Sequence, residues 1–227
     1  MTDAVIFDLD GLLLESEQVW SAAKRDLTEQ RGGTWTDAAE HEMIGMSSTE
    51  WSRYMHDALA VPLEPEAISA EVVALLTDRY RRELPLIDGA EEAVRALADR
   101  WPLGLASSSN REIIDLVLER TGWVELFAAT VSSEEVARGK PAPDVYLEAA
   151  QRLDARPERC AAVEDSGAGI RSAHAAGATV IAVPNHAYPP EPDALDLAAV
   201  VLDSLRELDA TVVAEAAREH ERTEAEG

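Results

Sequence analysis

Val5-Ile6-Phe7-Asp8-Leu9-Asp10-Gly11 is the stretch on which the reading of this chain turns. A short, unbroken apolar run bounded by a turn signal reads as a strand buried on both faces, as parallel sheets require. Asp8 then leaves the strand at its carboxyl end, where open α/β sheets bind their ligands. Two carboxylates two residues apart can serve as nucleophile and as general acid, then general base, when the turn aims both at one centre. Gly11 permits a close turn there.

Further apolar runs of strand character recur at 103–106, 128–131, 160–163, 179–183 and 199–202. Helical patterns fall between them at 91–100, 111–121, 144–153 and 167–176, and strand–helix alternation of this kind predicts a parallel, doubly wound sheet flanked by helices. Residues 15–85 break the rhythm. They carry a helical pattern at 17–31 closed by Gly32-Gly33, a capping-box signal at Ser47-Ser48-Thr49-Glu50 and a third helical run at 66–83. About 70 residues without a strand is long for a crossover connection. The expected organisation is therefore a Rossmann-like core of residues 1–14 and 86–227, with an inserted helical cap at 15–85. The stretch 215–227 is polar and charged, with a frayed end expected.

Composition narrows the class of function. With 46% apolar and 28% charged residues in 227, the chain is globular. No apolar run approaches 20 residues, so no membrane span is expected, and the first residues lack the pattern of a secretory leader. Cys160 is the only cysteine, which leaves no internal disulfide; the expected compartment is the cytoplasm. The formal charge is −24, from 44 acidic against 20 basic residues. Such a surface repels nucleic acid and anionic membranes, and a monomer is expected. Together with only two lysines, Lys24 and Lys140, it suggests a salt-rich cytoplasm and a halophilic adaptation.

Three further segments carry chemistry. Ser107-Ser108-Ser109-Asn110 follows the second strand, and Ser109 with Glu112 has capping-box spacing. A helix N-terminus there would turn free N–H groups toward an anion, with Ser107, Ser108 and Asn110 as candidate phosphate ligands. Lys140, in Gly139-Lys140-Pro141-Ala142-Pro143, is a compact positive charge suited to a phosphoryl group and an aspartate nucleophile. Ala161-Ala162-Val163-Glu164-Asp165-Ser166-Gly167 reads as a strand that ends in two carboxylates before a helix of small residues. Mg²⁺ takes hard oxygen ligands, about six, several of them water. The Asp8 and Asp165 carboxylates, the Asp10 carbonyl, a phosphate oxygen and waters would fill that shell, with Glu164 bound directly or through water.

In this order, Asp8-Leu9-Asp10-Gly11-Leu12-Leu13-Leu14-Glu15-Ser16-Glu17, Ser107, Lys140-Pro141-Ala142-Pro143 and Glu164-Asp165-Ser166-Gly167-Ala168-Gly169-Ile170 resemble the haloacid dehalogenase superfamily. The resemblance spans nearly the whole chain. It is nearest to the branch of β-phosphoglucomutase-like proteins and small sugar-phosphate phosphatases. It implies a Rossmann-like core, a cap inserted after the first strand, Mg²⁺, an aspartyl-phosphate intermediate, and phosphate binding by Ser107 and Lys140. Glu15 stands where family members often carry Asp, and Trp20 stands near the hinge histidine of the mutases. Ser48 and Leu76 occupy positions where mutases carry basic residues, with Arg53 or Arg79 as substitutes.

The function expected is Mg²⁺-dependent hydrolysis of a small phosphorylated metabolite, a sugar or polyol phosphate. A mutase is the alternative, and a non-catalytic phosphate-binding or regulatory protein is the reading from another class. Dehalogenases lack the second aspartate, so Asp10 argues against that chemistry. Phosphonate-cleaving relatives need a cap lysine, and Lys24 lies earlier than expected for one. Glu17, Trp20, Met46, Ser47, Trp51 and Arg79 are the candidate specificity residues; Trp20 and Trp51 serve equally as cap core.

Overall fold

The computed structural model describes residues 2–43, 46–186 and 188–226, with side chains through Arg222. Among them, six strands form one parallel sheet in the order β3-β2-β1-β4-β5-β6. These are β1 (Ala4–Phe7), β2 (Leu103–Ser107), β3 (Phe127–Ser132), β4 (Cys160–Glu164), β5 (Thr179–Ala182) and β6 (Val200–Val201). Each expected strand is present, within a residue or two at its ends.

The two-residue period of each strand sorts its side chains onto two faces. Val5, Phe7, Leu103, Leu105, Ala161 and Val163 join one apolar cluster, while Ala4, Ile6, Ala106, Cys160 and Ala162 join the other. The first face is covered by α5 (Ala90–Ala98), α6 (Arg111–Thr121) and α10 (Ala210–Glu226), through Val94, Leu97, Ile114, Val117 and Val213. The second is covered by α7 (Asp144–Arg152) and α8 (Gly167–Ala175), with the short α9 (Pro192–Leu195) beside them, through Val145, Tyr146, Ala149, Ile170 and Ala194. Sandwiching explains why the strands read as unbroken apolar runs.

Between β1 and α5 lie four helices and no strand among the described residues: α1 (Glu17–Gln30), α2 (Asp37–Glu42), α3 (Ser48–Asp57) and α4 (Pro65–Arg82). Ser47 and Glu50 form the expected capping box at the start of α3, and Pro65 opens α4 at a position where its missing N–H is harmless. Their inward faces, Trp20, Leu27, Trp51, Met55, Val72 and Leu76, continue the first apolar cluster. α2 was not expected; Thr36 caps it by accepting from the Ala39 N–H at 3.2 Å. The polar run from 215 belongs to a helix: α10 extends to Glu226 and is anchored by buried Val213 and Ala216, and Gly227 lies outside the described residues. No helix among the described residues is long and apolar enough to cross a membrane.

Candidate active site

Strand register assembles the site. β1 and β4 are neighbours with Phe7 opposite Val163, and the Asp8 N–H donates to the Val163 carbonyl at 3.0 Å. Asp8 and Glu164-Asp165 therefore leave the sheet side by side. Carboxylate oxygens of Asp8, Glu164 and Asp165 lie within 4.8 Å of one another, all three residues being buried. Gly11, at φ +81°, lets the chain turn immediately after Asp10; a Cβ there would stand 2.0 Å from Asp165 Oδ2. That glycine is required both by its backbone conformation and by the carboxylate packed against it.

Lys140 enters from the loop before α7. Its Nζ donates to Asp8 Oδ1 at 2.7 Å and to Glu164 Oε1 at 2.5 Å. Tyr146, on the buried face of α7, donates its hydroxyl to the same Glu164 oxygen at 2.5 Å. Burial raises the Asp8 carboxyl, Lys140 draws it back, and Glu164 and Asp10 push it up again, leaving it at about 8. Burial, then Asp8 and Glu164, lift Asp165 well above the carboxylate range. Burial pulls the Lys140 ammonium down, but Asp8 and Glu164 more than reverse this and keep it charged.

Three close carboxylates with one ammonium are short of positive charge, and Asp165 Oδ1 is buried with no hydrogen-bond partner. An all-oxygen donor set of this kind fits a hard divalent cation such as Mg²⁺. Asp8 and Asp165 present the free oxygens. Glu164 spends Oε1 on Lys140 and Tyr146, and its Oε2 receives a 3.4 Å contact from the Ser166 hydroxyl.

Asp10 is held from two sides. Trp20 Nε1 on α1 donates to Oδ1 at 3.0 Å, while the hydroxyls of Ser109 and Ser107 donate to Oδ2 at 2.6 and 3.3 Å. The expected Ser109–Glu112 capping box is therefore corrected. Asn110 is the residue before α6 and makes no side-chain cap, and the Ser109 hydroxyl serves the carboxylate instead. Ser107 is fully buried and also accepts from the Ser109 N–H. Asn110 Nδ2 donates to Glu134 Oε1 at 2.7 Å, outside the central pocket. Ser108 does line that pocket.

The pocket lies between the strand ends and the inserted helices. Asp8, Asp10, Lys140 and Asp165 form its floor; Glu17, Trp20, Lys24, Met43, Met46 and Trp51 face them. Glu17, Trp20, Met46 and Trp51 thus stand where specificity residues were expected, whereas Ser47 and Arg79 do not line it. Arg79 is paired with Asp26 at 2.5 Å and donates to the Val19 carbonyl. The sequence reading passed over Tyr146, Asn185 and Tyr188, took Ser109 only as a helix cap, and weighed Lys24 only as a Schiff-base lysine. For Lys24 a signal was present, since Glu17, Trp20 and Lys24 share one face of a helix by their spacing.

Fold and site together define a Rossmann-like α/β enzyme built around an aspartate centre. Residues 2–177 match the haloacid dehalogenase-like hydrolase model, and the chain belongs to that family. It is similar to hexitol phosphatase B of Escherichia coli K12, 33% identical over 213 residues that cover 91% of this chain and 94% of that protein. It is 32% identical over 187 residues to the bifunctional riboflavin kinase/FMN phosphatase of Arabidopsis thaliana; these cover 82% of this chain but only 49% of that longer protein, about half its length. The crystal structure of CbbY from Rhodobacter sphaeroides in complex with phosphate superposes with a TM-score of 0.82 at 27% identity, over 92% of this chain and 96% of that one. The chain is an enzyme of this hydrolase family, and phosphatases stand among its relatives.

Proposed function

We propose that this enzyme hydrolyses a small phosphomonoester, a sugar or polyol phosphate, through a phosphoryl group carried on Asp8 and with a divalent cation, Mg²⁺, as cofactor. The observation that carries the reading is the meeting of Asp8, Lys140 and Asp165 at adjoining strand ends, with Asp10 held over the same floor. Asp8 and Asp165 would hold the cation, which would supply positive charge that offsets repulsion between the carboxylates and the phosphate.

Asp8 attacks phosphorus in line, forming a carboxyl–phosphorus bond as the bond to the leaving oxygen breaks. Lys140 holds Asp8 in place and neutralises charge on the transferring group. Asp10 gives a proton to the leaving alcohol. It then takes one from the water that attacks the phosphoryl-aspartate, which releases phosphate and restores Asp8. Trp20, Met46 and Trp51 limit the access of bulk water. Similarity to hexitol phosphatase B supports a polyol or sugar phosphate as substrate. The acidic surface suits work in a salt-rich cytoplasm.

The test is incubation of the full chain with Mg²⁺, KCl and a panel of sugar and polyol phosphates, followed by phosphorus NMR. Free phosphate is the expected product, and Asp8→Asn and Asp10→Asn should each lower kcat by roughly a thousandfold or more with the fold intact. A rearranged sugar phosphate without free phosphate would instead establish a mutase. Near-normal turnover in either variant would remove that residue from its role.

A further inference from the structure

Lys24 has no explained partner. It lies on α1 inside the pocket and is only 7% exposed, yet no carboxylate comes within ion-pair distance of its ammonium among the described residues. Its Nζ stands 5.6 Å from the ring centre of Trp20 and 5.2 Å from that of Trp51. The two indoles are themselves 6.0 Å apart and tilted by 56°, so the cation is held between aromatic faces at the roof of the site. Aromatic faces attract a cation, but they supply no oxygen to accept its protons. The charges that face it are Glu17 and Asp10, and burial draws the ammonium down to about 8 against their pull; Glu40 lies in an adjoining recess. A buried ammonium without a hydrogen-bonding anion is costly, which marks a place for one.

Usage within the chain points the same way. Eighteen of the 20 basic residues are arginine, and the two lysines, Lys24 and Lys140, both line this one pocket. A chain that almost everywhere prefers arginine keeps a compact point charge at two places, one beside Asp8 and one across the cavity from it.

We propose that Lys24 selects substrates bearing an anionic oxygen, specifically a carboxylate, on the leaving alcohol: the phosphate ester of a sugar acid or small hydroxy acid. The assignment rests on the phosphatase reading above and names its substrate class. A single ammonium flanked by apolar rings matches a carboxylate. A lysine also binds phosphate, but at Lys140 it does so beside a cation site; a second phosphate dianion at Lys24 would draw on further donors, and Arg79 is already occupied by Asp26.

The test compares kcat/KM for 6-phosphogluconate with that for glucitol 6-phosphate, which differ in one terminal carboxylate against a hydroxymethyl group. The same comparison is made for 3-phosphoglycerate against glycerol 3-phosphate, and for fructose 1,6-bisphosphate against fructose 6-phosphate. Wild type, Lys24→Met and Lys24→Arg are assayed with Mg²⁺. In at least one acid–alcohol pair the acid should be favoured by about tenfold or more, a preference that Lys24→Met abolishes chiefly through KM and Lys24→Arg partly restores. A preference for the bisphosphate alone would overturn the carboxylate assignment in favour of a second phosphate. Equal losses on acid and alcohol in Lys24→Met would reduce Lys24 to a structural counter-charge and overturn the proposal. Asp8-dependent release of phosphate from p-nitrophenyl phosphate, measured alongside, separates the two readings. Its presence with no acid preference sinks the Lys24 assignment alone; its absence, with no turnover of any ester, sinks the phosphatase reading and this one with it.

Discussion

Asp8 and Asp165 show what a single side chain gains and loses at the site. Burial leaves Asp8 at about 8 and Asp165 well above its ordinary range, so without a cation the folded protein retains protons that the unfolded chain has already released. The native state then binds more protons than the unfolded one, and stability falls as pH rises from the ordinary carboxylate range through about 8. Asp88, Asp144 and Asp193 are drawn down first by hydrogen bonds from Arg206, Arg138 and Arg171, so what they contribute is lost on the acid side, outside that window. With EDTA, the thermal midpoint followed by circular dichroism should therefore drop between about pH 5 and pH 8. Saturating Mg²⁺ should raise it more at the higher pH, because the cation takes the place of the protons. An equal rise at both pH values would contradict this account of the cluster. Asp8, Asp10, Lys140 and Asp165 were legible in the sequence because each sits at the end of an apolar run or in a marked loop. Tyr146 and Ser109 were not, because what they face is decided by how α7 packs and by which way the turn after β2 folds; for Lys24 the shared helix face was visible, but what that face meets depends on how α1 packs.

Among the elements, the turn from β4 into α8 is the most tightly specified. Ser166 caps α8 by accepting from the Gly169 N–H at 3.2 Å, and a Cβ on Gly169 would stand 1.9 Å from Glu164 Oε2 and 2.1 Å from Oε1. Glu164 cannot step aside, since it is fully buried and its Oε1 is bound by Lys140 and Tyr146. Gly169→Ala should therefore destabilise the fold by about 1–3 kcal/mol, as overpacking of a rigid site does. It should also lower turnover by displacing Lys140 from Asp8. Urea unfolding and phosphate release would show both, and a variant with wild-type stability would mean that the β4–α8 turn yields more easily than its contacts indicate. The strands and long helices could be read in advance because burial on both faces and helical periodicity write themselves into the sequence. α2 could not, since six residues hold too little periodicity and their signal is a lone Thr36 cap. α10 was missed, and its part from 215 read only as a polar tail, because few residues, Val213 and Ala216 among them, carry its docking and charged residues are interspersed through the rest.

For the molecule as a whole, charge outweighs any individual ion pair. Even with every arginine and lysine paired, a net charge of −24 remains. Exposed pairs such as Arg206–Asp88 at 2.5 Å and Arg31–Glu71 at 2.6 Å offer little against it, because water and salt weaken such contacts. Self-repulsion opposes the compact state, and it shortens its reach as the Debye length contracts from about 10 Å at 0.1 M salt to about 3 Å at 1 M. The thermal midpoint, measured in EDTA so that no divalent cation contributes, should accordingly climb by about 5 °C or more between roughly 0.1 M and 2 M KCl. General salt effects on apolar burial could raise it as well, so the slope needs a control that alters charge alone. Glu29, Glu83 and Glu92 are exposed on α1, just after α4 and on α5, and none of them lines the pocket. The triple variant Glu29→Gln, Glu83→Gln, Glu92→Gln should melt higher than the parent at low salt and gain less from KCl, the two curves converging near 2 M as screening removes the difference. Parallel curves would assign the salt effect to apolar burial, and a flat parent curve would leave the acidic surface without a stabilising partner in salt.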